Sequence, residues 1–197
     1  QEKDWRACLD AVSELTADYL VATGSLPKGT PNDFYARVIR MARERGSKVV
    51  LDTSGRPLFE ALKEGCFLVK PNLRELETLF SVKAPRRADQ EALCRRIIDE
   101  GRAENVALTL GPDGALLATK DDILHLKSPE VTVRTTVGAG DSFVGGFVYG
   151  LASGESLVDS FVLALAAGTA AVMTSGTELC RREDVEQLRQ EFADQIQ

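Results

Sequence analysis

The sequence has 197 residues, of which 24 are Lys or Arg and 30 are Asp or Glu, so its formal charge at pH 7 is −6. This length is typical of one globular domain, and a hydrophobic content of 44% is enough to build a sizeable apolar core. The acidic balance, together with basic runs that are not interleaved with aromatic residues, argues against a nucleic-acid partner.

The longest apolar stretch, residues 157–173, is interrupted by Asp159, Ser160 and Gly168, so it predicts a buried helix and argues against a membrane partner. The four cysteines are widely spaced without a CxxC pair, and the chain has one histidine, which argues against a zinc site. Because no segment resembles a signal peptide, these features predict a reducing, cytoplasmic location.

Helical patterns and apolar runs alternate along the chain from its start. An opening helical pattern, from Trp5 to Leu15, is followed by apolar runs that predict strands at residues 18–23, 48–52, 66–69 and 105–110. Helical spacing between and after these runs predicts helices at residues 32–45, 56–63, 74–80 and 90–100. This alternation through short loops predicts a doubly wound α/β fold, with a mostly parallel sheet and helices on both of its faces.

The remainder of the chain predicts a hairpin, one further strand and three helices. The hairpin is expected at residues 115–119 and 123–126, the strand at 131–137, and the helices at 142–151, 157–173 and 183–192. No repeat or internal linker is present in the sequence. We therefore predict a single α/β domain over residues 1–197.

The segment Gly138-Ala139-Gly140-Asp141 lies between a predicted strand and an apolar helix. Small residues let a ligand approach the backbone, and the first N–H groups of a helix stabilise anions. A carboxylate beside such a site can take a proton from an attacking hydroxyl, as phosphoryl transfer to an alcohol requires. Asp141 is therefore a candidate base, and the alternative is that it is the N-cap of the helix.

Two familiar phosphate-binding motifs do not fit this segment. A GxGxxG motif that starts at Gly138 would need glycine at position 143, which is Phe143. A Walker loop that starts at Gly140 would need lysine at position 146, which is Gly146. A nucleotide would have to be bound in another way.

Two further segments with candidate phosphate contacts follow predicted strands. The turn at residues 109–114 offers the Thr109 hydroxyl and unobstructed amides to a phosphate chain, or is a plain reverse turn. Lys70 can meet a phosphate, while Asn72 and Glu75 can face a water-coordinated Mg²⁺ or cap the helix that they begin. Each segment has a structural alternative, but their common place at strand ends indicates one site.

The stretch Thr136–Phe147 resembles the second signature of the PfkB carbohydrate kinases of the ribokinase-like superfamily. The resemblance continues in family order at Gly24–Pro27, at Leu68–Asn72 with Glu75, and at Thr109–Gly111 with Gly114. Within the family it is similar to the phosphosugar branch, which contains 6-phosphofructokinases, 1-phosphofructokinases and tagatose-6-phosphate kinases. Residues 166–171 and 176–180 favour 6-phosphofructokinase, whereas residues 144–151 suit 1-phosphofructokinase equally well.

The resemblance implies a role for particular residues. Asp141 would be the base for the sugar hydroxyl, and the amides of Gly138, Ala139 and Gly140 would form the anion hole for the transferring phosphoryl group. Asn72 and Glu75 would organise Mg²⁺ through water. The ATP contacts would be Lys70, Asn72, Thr109, Gly111 and Gly114, with Leu165, Gly168 and Thr169 beside the adenine. Ser25 would reach toward the sugar phosphate, and carbonyls near Thr135, Val137, Ala171 and Gly176 would bind a monovalent cation such as K⁺.

The resemblance also implies that part of such a kinase is missing from this sequence. Relatives carry N-terminal strands and a β-sheet lid that supply sugar contacts and often form a homodimer. We therefore expect a C-terminal, nucleotide-binding portion of a kinase that phosphorylates fructose 6-phosphate to fructose 1,6-bisphosphate. This portion alone is expected to be a weak or inactive kinase. The alternatives are another phosphosugar acceptor, or a non-catalytic module that binds only the nucleotide.

Overall fold

The computed structural model describes residues 2–176 and 178–196, which group into two compact units. Unit one comprises the residues up to Thr109 together with Ala118–Ile123. Unit two comprises Leu110–Leu117 and the residues from Leu124 onward. The expectation of a single nucleotide-binding portion stays a prediction.

Unit one alternates helices and strands in chain order. Its elements are α1 (Glu2–Glu14), β1 (Tyr19–Thr23), α2 (Phe34–Glu44), β2 (Lys48–Asp52), α3 (Gly55–Ala61), β3 (Cys66–Val69), α4 (Leu73–Phe80), α5 (Arg87–Asp99) and β4 (Ala103–Thr109). The strands pair in parallel in the order β1-β2-β3-β4. Parallel pairing across helical connections confirms the α/β class that the sequence predicts.

The parallel sheet of unit one is buried at its centre and open at β1. In β2, Val49, Val50 and Leu51 are all buried, as expected for a strand that is covered on both faces. In β1, Ala22 is buried whereas Val21 is exposed, so this strand is less well covered. Because the strands are parallel, their carboxyl ends lie along one edge of the sheet, which positions the candidate site residues of unit one.

Unit two contains a short hairpin and three helices. After a 3-10 turn at Gly111–Asp113, its elements are β5 (Ala115–Ala118), β6 (Ile123–Leu126), α6 (Ala139–Ala152), α7 (Leu157–Met173) and α8 (Arg182–Ala193). The neighbouring strands β5 and β6 confirm the predicted hairpin, although their connecting turn groups with unit one. Among the described residues, no helix combines the length and the apolar character that a membrane crossing requires.

Small residues let α6 and α7 pack closely in unit two. A Cβ at Gly150 would lie 2.8 Å from Ser160 Oγ, and a Cβ at Gly146 would lie 3.0 Å from the Leu163 carbonyl oxygen. Beside them, Phe143, Phe147 and Phe161 form an aromatic cluster with ring centroids 6.1 to 6.3 Å apart. This tight contact fixes the position of α6, which carries Asp141.

The prediction of a strand at residues 131–137 is wrong. This segment is irregular, and Val133 and Val137 are 58% and 65% exposed. The N–H groups of Arg134 and Thr135 both donate to the Val172 carbonyl oxygen, at 2.8 and 3.3 Å. Because the end of α7 takes these donors, they are not available to a strand partner.

Candidate functional site

The carboxyl ends of β2 and β3 are joined by an ion pair in unit one. Lys70 Nζ lies 3.1 Å from Asp52 Oδ1, and the two side chains are only 7% and 16% exposed. The register pairs Leu51 with Val69, which brings the following residues, Asp52 and Lys70, into reach of each other. Lys70, predicted as a phosphate contact, is thus a buried cation that a carboxylate holds at the edge of the sheet.

Asn72 and Glu75 cap α4 reciprocally. Asn72 Oδ1 accepts a hydrogen bond from the Glu75 N–H at 3.0 Å, and Glu75 Oε2 accepts one from the Asn72 N–H at 2.8 Å. The capping alternative is therefore confirmed for this pair, and a magnesium role for it stays a prediction. Burial raises the pKa of Glu75, opposed by the Asn72 N–H and by the attraction of Lys70.

Thr109, at the end of β4, lies beside the start of α4. Asn72 and Thr109 form an isolated parallel bridge, and the Thr109 N–H donates to the Pro71 carbonyl oxygen at 3.0 Å. Its hydroxyl is 3.4 Å from the same oxygen. Unit one therefore brings together Lys70, Asn72, Glu75 and Thr109, four of the predicted nucleotide and metal contacts.

Ser25, the predicted sugar-phosphate contact, is exposed just after β1 in unit one. It follows Gly24, whose φ of +93° is a conformation that glycine adopts without strain. The Gly24 N–H donates to the Asp52 carbonyl oxygen at 2.9 Å, which ties this bend to the end of β2. Ser25 therefore lies at the same edge of the sheet as Asp52.

The glycine turn of unit two is a closed loop. The Leu110 N–H donates to the Gly114 carbonyl oxygen at 2.9 Å, and Gly111 and Gly114 have φ of +63° and +88°. A Cβ at Gly114 would lie 2.0 Å from the Leu126 carbonyl oxygen, so no other residue fits there without movement. His125 Nε2, on β6, lies 2.9 Å from the Asp113 carbonyl oxygen. The backbone of this turn is thus held in one conformation.

Helix α6 begins earlier than predicted, and Asp141 does not cap it. Gly138 is the N-cap, with φ of +82° and no side-chain hydrogen bond, and the Ser142 N–H donates to the Gly138 carbonyl oxygen at 2.8 Å. Asp141 is the third helical residue, and it is exposed. The N-cap alternative for Asp141 is therefore wrong. The amides of Gly138, Ala139, Gly140 and Asp141 precede the first intrahelical donor, so they are suited to bind an anion beside the Asp141 carboxylate.

Helix α7 packs against the start of α6 through Gly168. A Cβ at Gly168 would lie 3.2 Å from the Ala139 carbonyl oxygen. Leu165 and Thr169, two of the predicted adenine contacts, are buried in unit two. Their role toward a base stays a prediction, and so does the role of Gly168.

The predicted cation carbonyls lie around the end of α7. There the Thr174 hydroxyl donates to the Ala171 carbonyl oxygen at 2.9 Å, and Gly176 has φ of +62°. Thr177, part of the stretch 176–180 that favours 6-phosphofructokinase, lies outside the described residues. The binding of K⁺ stays a prediction.

Three polar residues of unit one are not among the site residues that the sequence predicts. Asp52 pairs with Lys70, and the hydroxyls of Tyr35 and Thr53 donate to the bend before Ser25. The sequence does contain a signal for Asp52, because an acidic residue at the end of a buried strand is typical of a ligand-binding edge of a sheet. Tyr35 and Thr53 act across elements, so the local pattern does not indicate them.

The oxygens of Asn72 and Glu75 fit a water-coordinated Mg²⁺ better than a metal ion that only protein side chains bind. In residues 2–176 and 178–196, no group of three or more His, Cys, Asp or Glu side chains is placed to hold a metal ion. Mg²⁺ usually keeps several waters and takes one or two protein oxygens together with substrate phosphates. The Asn72 and Glu75 oxygens at the edge of the sheet fit that mode of binding.

Comparison with known proteins gives consistent matches over most of the chain. The family profile described as pfkB family carbohydrate kinase matches residues 4–184. ATP-dependent 6-phosphofructokinase isozyme 2 of Mycobacterium tuberculosis is 40% identical over 181 residues, which cover 91% of this chain and 53% of that protein. The 1-phosphofructokinase of Bacillus subtilis is 32% identical over 152 residues, which cover 77% of this chain and 50% of that protein.

Solved structures agree with these matches. A crystal structure of phosphofructokinase-2 from Escherichia coli in complex with potassium aligns with a TM-score of 0.93 at 33% identity, covering 98% of this chain and 63% of that one. This similarity confirms the ribokinase-like α/β fold that the sequence predicts. The chain spans about half the length of the curated relatives that it matches.

Proposed function

Because the chain belongs to the pfkB family of carbohydrate kinases, we propose that the protein that contains it transfers a phosphoryl group from ATP to a hydroxyl of a sugar phosphate. The observation that carries this proposal is the start of α6, where uncapped first-turn amides lie beside the exposed Asp141 carboxylate. An anion hole and a base on one helical turn are the two groups that phosphoryl transfer to an alcohol requires.

Asp141 is the base in this proposal. Its carboxylate takes the proton from the sugar hydroxyl as the hydroxyl oxygen attacks the terminal phosphorus of ATP in line with the leaving ADP. The amides of Gly138, Ala139 and Gly140 stabilise the charge on the equatorial oxygens during transfer. Gly138 and Gly140 present backbone without a side chain, so the phosphoryl group can approach it closely.

The nucleotide contacts are proposed for each unit separately. In unit one, Lys70 supplies a fixed positive charge and Thr109 a hydroxyl for the phosphates, while Asn72 and Glu75 hold Mg²⁺ through water. Mg²⁺, when bound, neutralises charge on the phosphates. In unit two, the amides of Gly111 and Gly114 follow the phosphate chain, and the adenine is bordered by Leu165, Gly168 and Thr169. Carbonyls near the end of α7 bind K⁺, a proposal supported by the potassium complex of the similar phosphofructokinase-2.

Fructose 6-phosphate is the proposed acceptor, with fructose 1,6-bisphosphate as the product. The 40% identity to an ATP-dependent 6-phosphofructokinase supports this choice. The 32% identity to a 1-phosphofructokinase keeps fructose 1-phosphate as the main alternative, ahead of tagatose 6-phosphate. Ser25 is the residue of this chain that would contact the phosphate of the acceptor.

The direct test offers each of these three phosphosugars to the full-length protein with MgATP and measures ADP release. We expect turnover that depends on Mg²⁺, is stimulated by K⁺ and has the highest kcat/KM for fructose 6-phosphate. A preference for fructose 1-phosphate would show that the protein is a 1-phosphofructokinase. Binding of ATP without transfer to any phosphosugar would favour a non-catalytic nucleotide-binding module.

Two properties of the whole protein are proposed from the family resemblance alone. We expect a homodimer and a cytoplasmic location. Light scattering of the full-length protein measures the first, and fractionation of the source cells measures the second. A monomer at micromolar concentration would contradict the assembly proposal.

A further inference from the structure

Side chains from two other elements of unit one hold the bend that follows β1. The Tyr35 hydroxyl, in the first turn of α2, lies 2.7 Å from the Thr23 carbonyl oxygen and 3.0 Å from the Gly24 carbonyl oxygen. The Thr53 hydroxyl, which follows β2, donates to the same Gly24 oxygen at 2.8 Å. The Gly24 carbonyl oxygen therefore accepts a hydrogen bond from Thr53, and it shares the single hydroxyl proton of Tyr35 with the Thr23 carbonyl oxygen.

A fixed Gly24 carbonyl also fixes the direction of the next amide. In a planar trans peptide the C=O and the following N–H point in opposite directions, and the described residues contain no cis peptide. With the Gly24 oxygen directed at Tyr35 and Thr53, the Ser25 N–H is directed away from them. In the described part of the chain, neither the Ser25 N–H nor the Ser25 hydroxyl has a protein acceptor. Both donors are thus available to an anion.

Tyr35 and Thr53 are themselves too buried to serve as ligand contacts. Their exposed fractions are 7% and 5%, whereas Ser25 is exposed. Burial raises the pKa of Tyr35, and the negative charge of Asp52 raises it further, so the hydroxyl stays a donor through neutral and mildly alkaline pH. The two hydroxyls can affect a ligand only through the backbone that they hold.

We propose that Tyr35 and Thr53 are positioning residues that hold the Ser25 amide and hydroxyl as a donor pair for the phosphate group of the sugar phosphate. The inference rests on the proposed function, in which Ser25 contacts the acceptor. Part of the affinity for the sugar phosphate would then depend on two buried hydroxyls that do not contact the sugar phosphate. A loosened bend would weaken the binding of the sugar phosphate and leave the nucleotide contacts in place.

The test compares variants that differ by one hydroxyl in the full-length protein. Thr53→Val removes the hydroxyl at nearly constant volume, Thr53→Ser retains it, and Tyr35→Phe removes the other donor. We expect Thr53→Val and Tyr35→Phe to raise KM for fructose 6-phosphate by about 2- to 12-fold, the range that corresponds to one net hydrogen bond. KM for ATP should stay within about twofold, and Thr53→Ser should resemble the wild type. Tyr149→Phe, at an exposed tyrosine of α6, is the matched control for loss of a phenol hydroxyl.

The outcomes separate this inference from the proposed function. If the wild type transfers phosphate but the variants leave KM for fructose 6-phosphate unchanged, or shift both KM values together, the positioning role is wrong and the kinase proposal stands. A wild type that is inactive with every phosphosugar overturns both. If Tyr35→Phe does not fold, the comparison of Thr53→Val with Thr53→Ser decides the question.

Discussion

The two units build their candidate ligand contacts in different ways. In unit one, the candidate side chains are held by the rest of the fold: Lys70 pairs with Asp52, and the side chains of Asn72 and Glu75 each accept a hydrogen bond from the backbone N–H of the other. In unit two, α6 begins at a glycine that no side chain caps, and Asp141 is exposed in its first turn. Unit one thus presents side chains that also stabilise the fold, whereas unit two presents backbone amides and a carboxylate outside such a network.

This difference determines what a substitution costs. A side chain that holds a neighbour cannot be changed without a loss of stability, because a buried partner is left with an uncompensated charge or an unmade hydrogen bond. A side chain outside such a network can be changed at little cost to the fold. We therefore expect stability and ligand binding to be coupled in unit one and separable at Asp141.

The largest effect on activity is expected from Asp141→Asn in the full-length protein. Loss of a positioned base should lower kcat by about 10²- to 10⁴-fold, because asparagine cannot accept the proton of the sugar hydroxyl. The free energy of unfolding should change by less than about 1 kcal/mol, since only a first-turn helix charge is lost. Steady-state kinetics and urea unfolding measure the two quantities. Near-normal turnover of the Asp141→Asn variant would show that Asp141 is not the base.

Lys70→Met is expected to have the largest effect on stability. Removal of the ammonium that pairs with the largely buried Asp52 carboxylate should lower the free energy of unfolding by about 3 to 5 kcal/mol. The double variant Lys70→Met with Asp52→Asn should recover part of this loss, because it removes both charges. Lys83→Met is the control, since Lys83 is 84% exposed and its partner Glu77, although only 13% exposed, also accepts a hydrogen bond from the Ala84 N–H at 2.9 Å, so loss of this lysine should cost little. Equal effects of Lys70→Met and Lys83→Met would contradict the coupling in unit one.

In the glycine turn of unit two, the backbone conformation and not a side chain contributes the stability. Gly114→Ala should lower the free energy of unfolding by about 3 kcal/mol, from a positive φ and a Cβ directed at the Leu126 carbonyl. Gly111→Ala, with a positive φ but open space around its Cβ, should cost only about 1 kcal/mol. Urea unfolding of the two variants measures this difference. Similar losses would show that φ alone determines the cost at both positions.

The elements with a regular period could be predicted from the sequence, and the pairings between elements could not. Strands 48–52 and 66–69 and helix 157–173 have the predicted bounds, because apolar runs and helical spacing are local signals. The ion pair of Asp52 with Lys70 depends on the register between β2 and β3, which the sequence does not display. The segment 131–137 has strand-like alternation, but its donors are taken by the Val172 carbonyl, a distant partner.

Buried thiols provide a pH test that is specific to unit one. Burial raises the pKa of Cys66 and of Cys94 from 9.0 to about 12. A thiol whose pKa is raised in the folded state stabilises the fold fully below pH 9.0 and loses this contribution as pH rises toward 12. At one pH unit above the unfolded value, the free energy of unfolding should fall by about 1.4 kcal/mol per thiol. Cys94→Ala should remove its share of this pH dependence, which urea unfolding below and above pH 9.0 measures.

The smallest expected effect is at Ser160 in α7, where a substitution should stabilise the protein, in contrast to the preceding variants. The Ser160 hydroxyl is fully buried against Gly150 of α6 and has no hydrogen-bond partner within the described residues. Ser160→Ala removes a buried polar atom whose desolvation nothing offsets and substitutes a better helix former. We therefore expect the free energy of unfolding to rise by about 1 kcal/mol.

Ser156, the N-cap of the same helix, provides the matched control for Ser160. Its hydroxyl accepts a hydrogen bond from the Asp159 N–H at 3.0 Å, so Ser156→Ala should lower the free energy of unfolding by about 1 kcal/mol. The same loss of one hydroxyl should thus have opposite effects at two serines one helical turn apart. If both variants destabilise the protein, the Ser160 hydroxyl has a partner or fills space that alanine cannot, and the α6–α7 contact depends on more than its small residues.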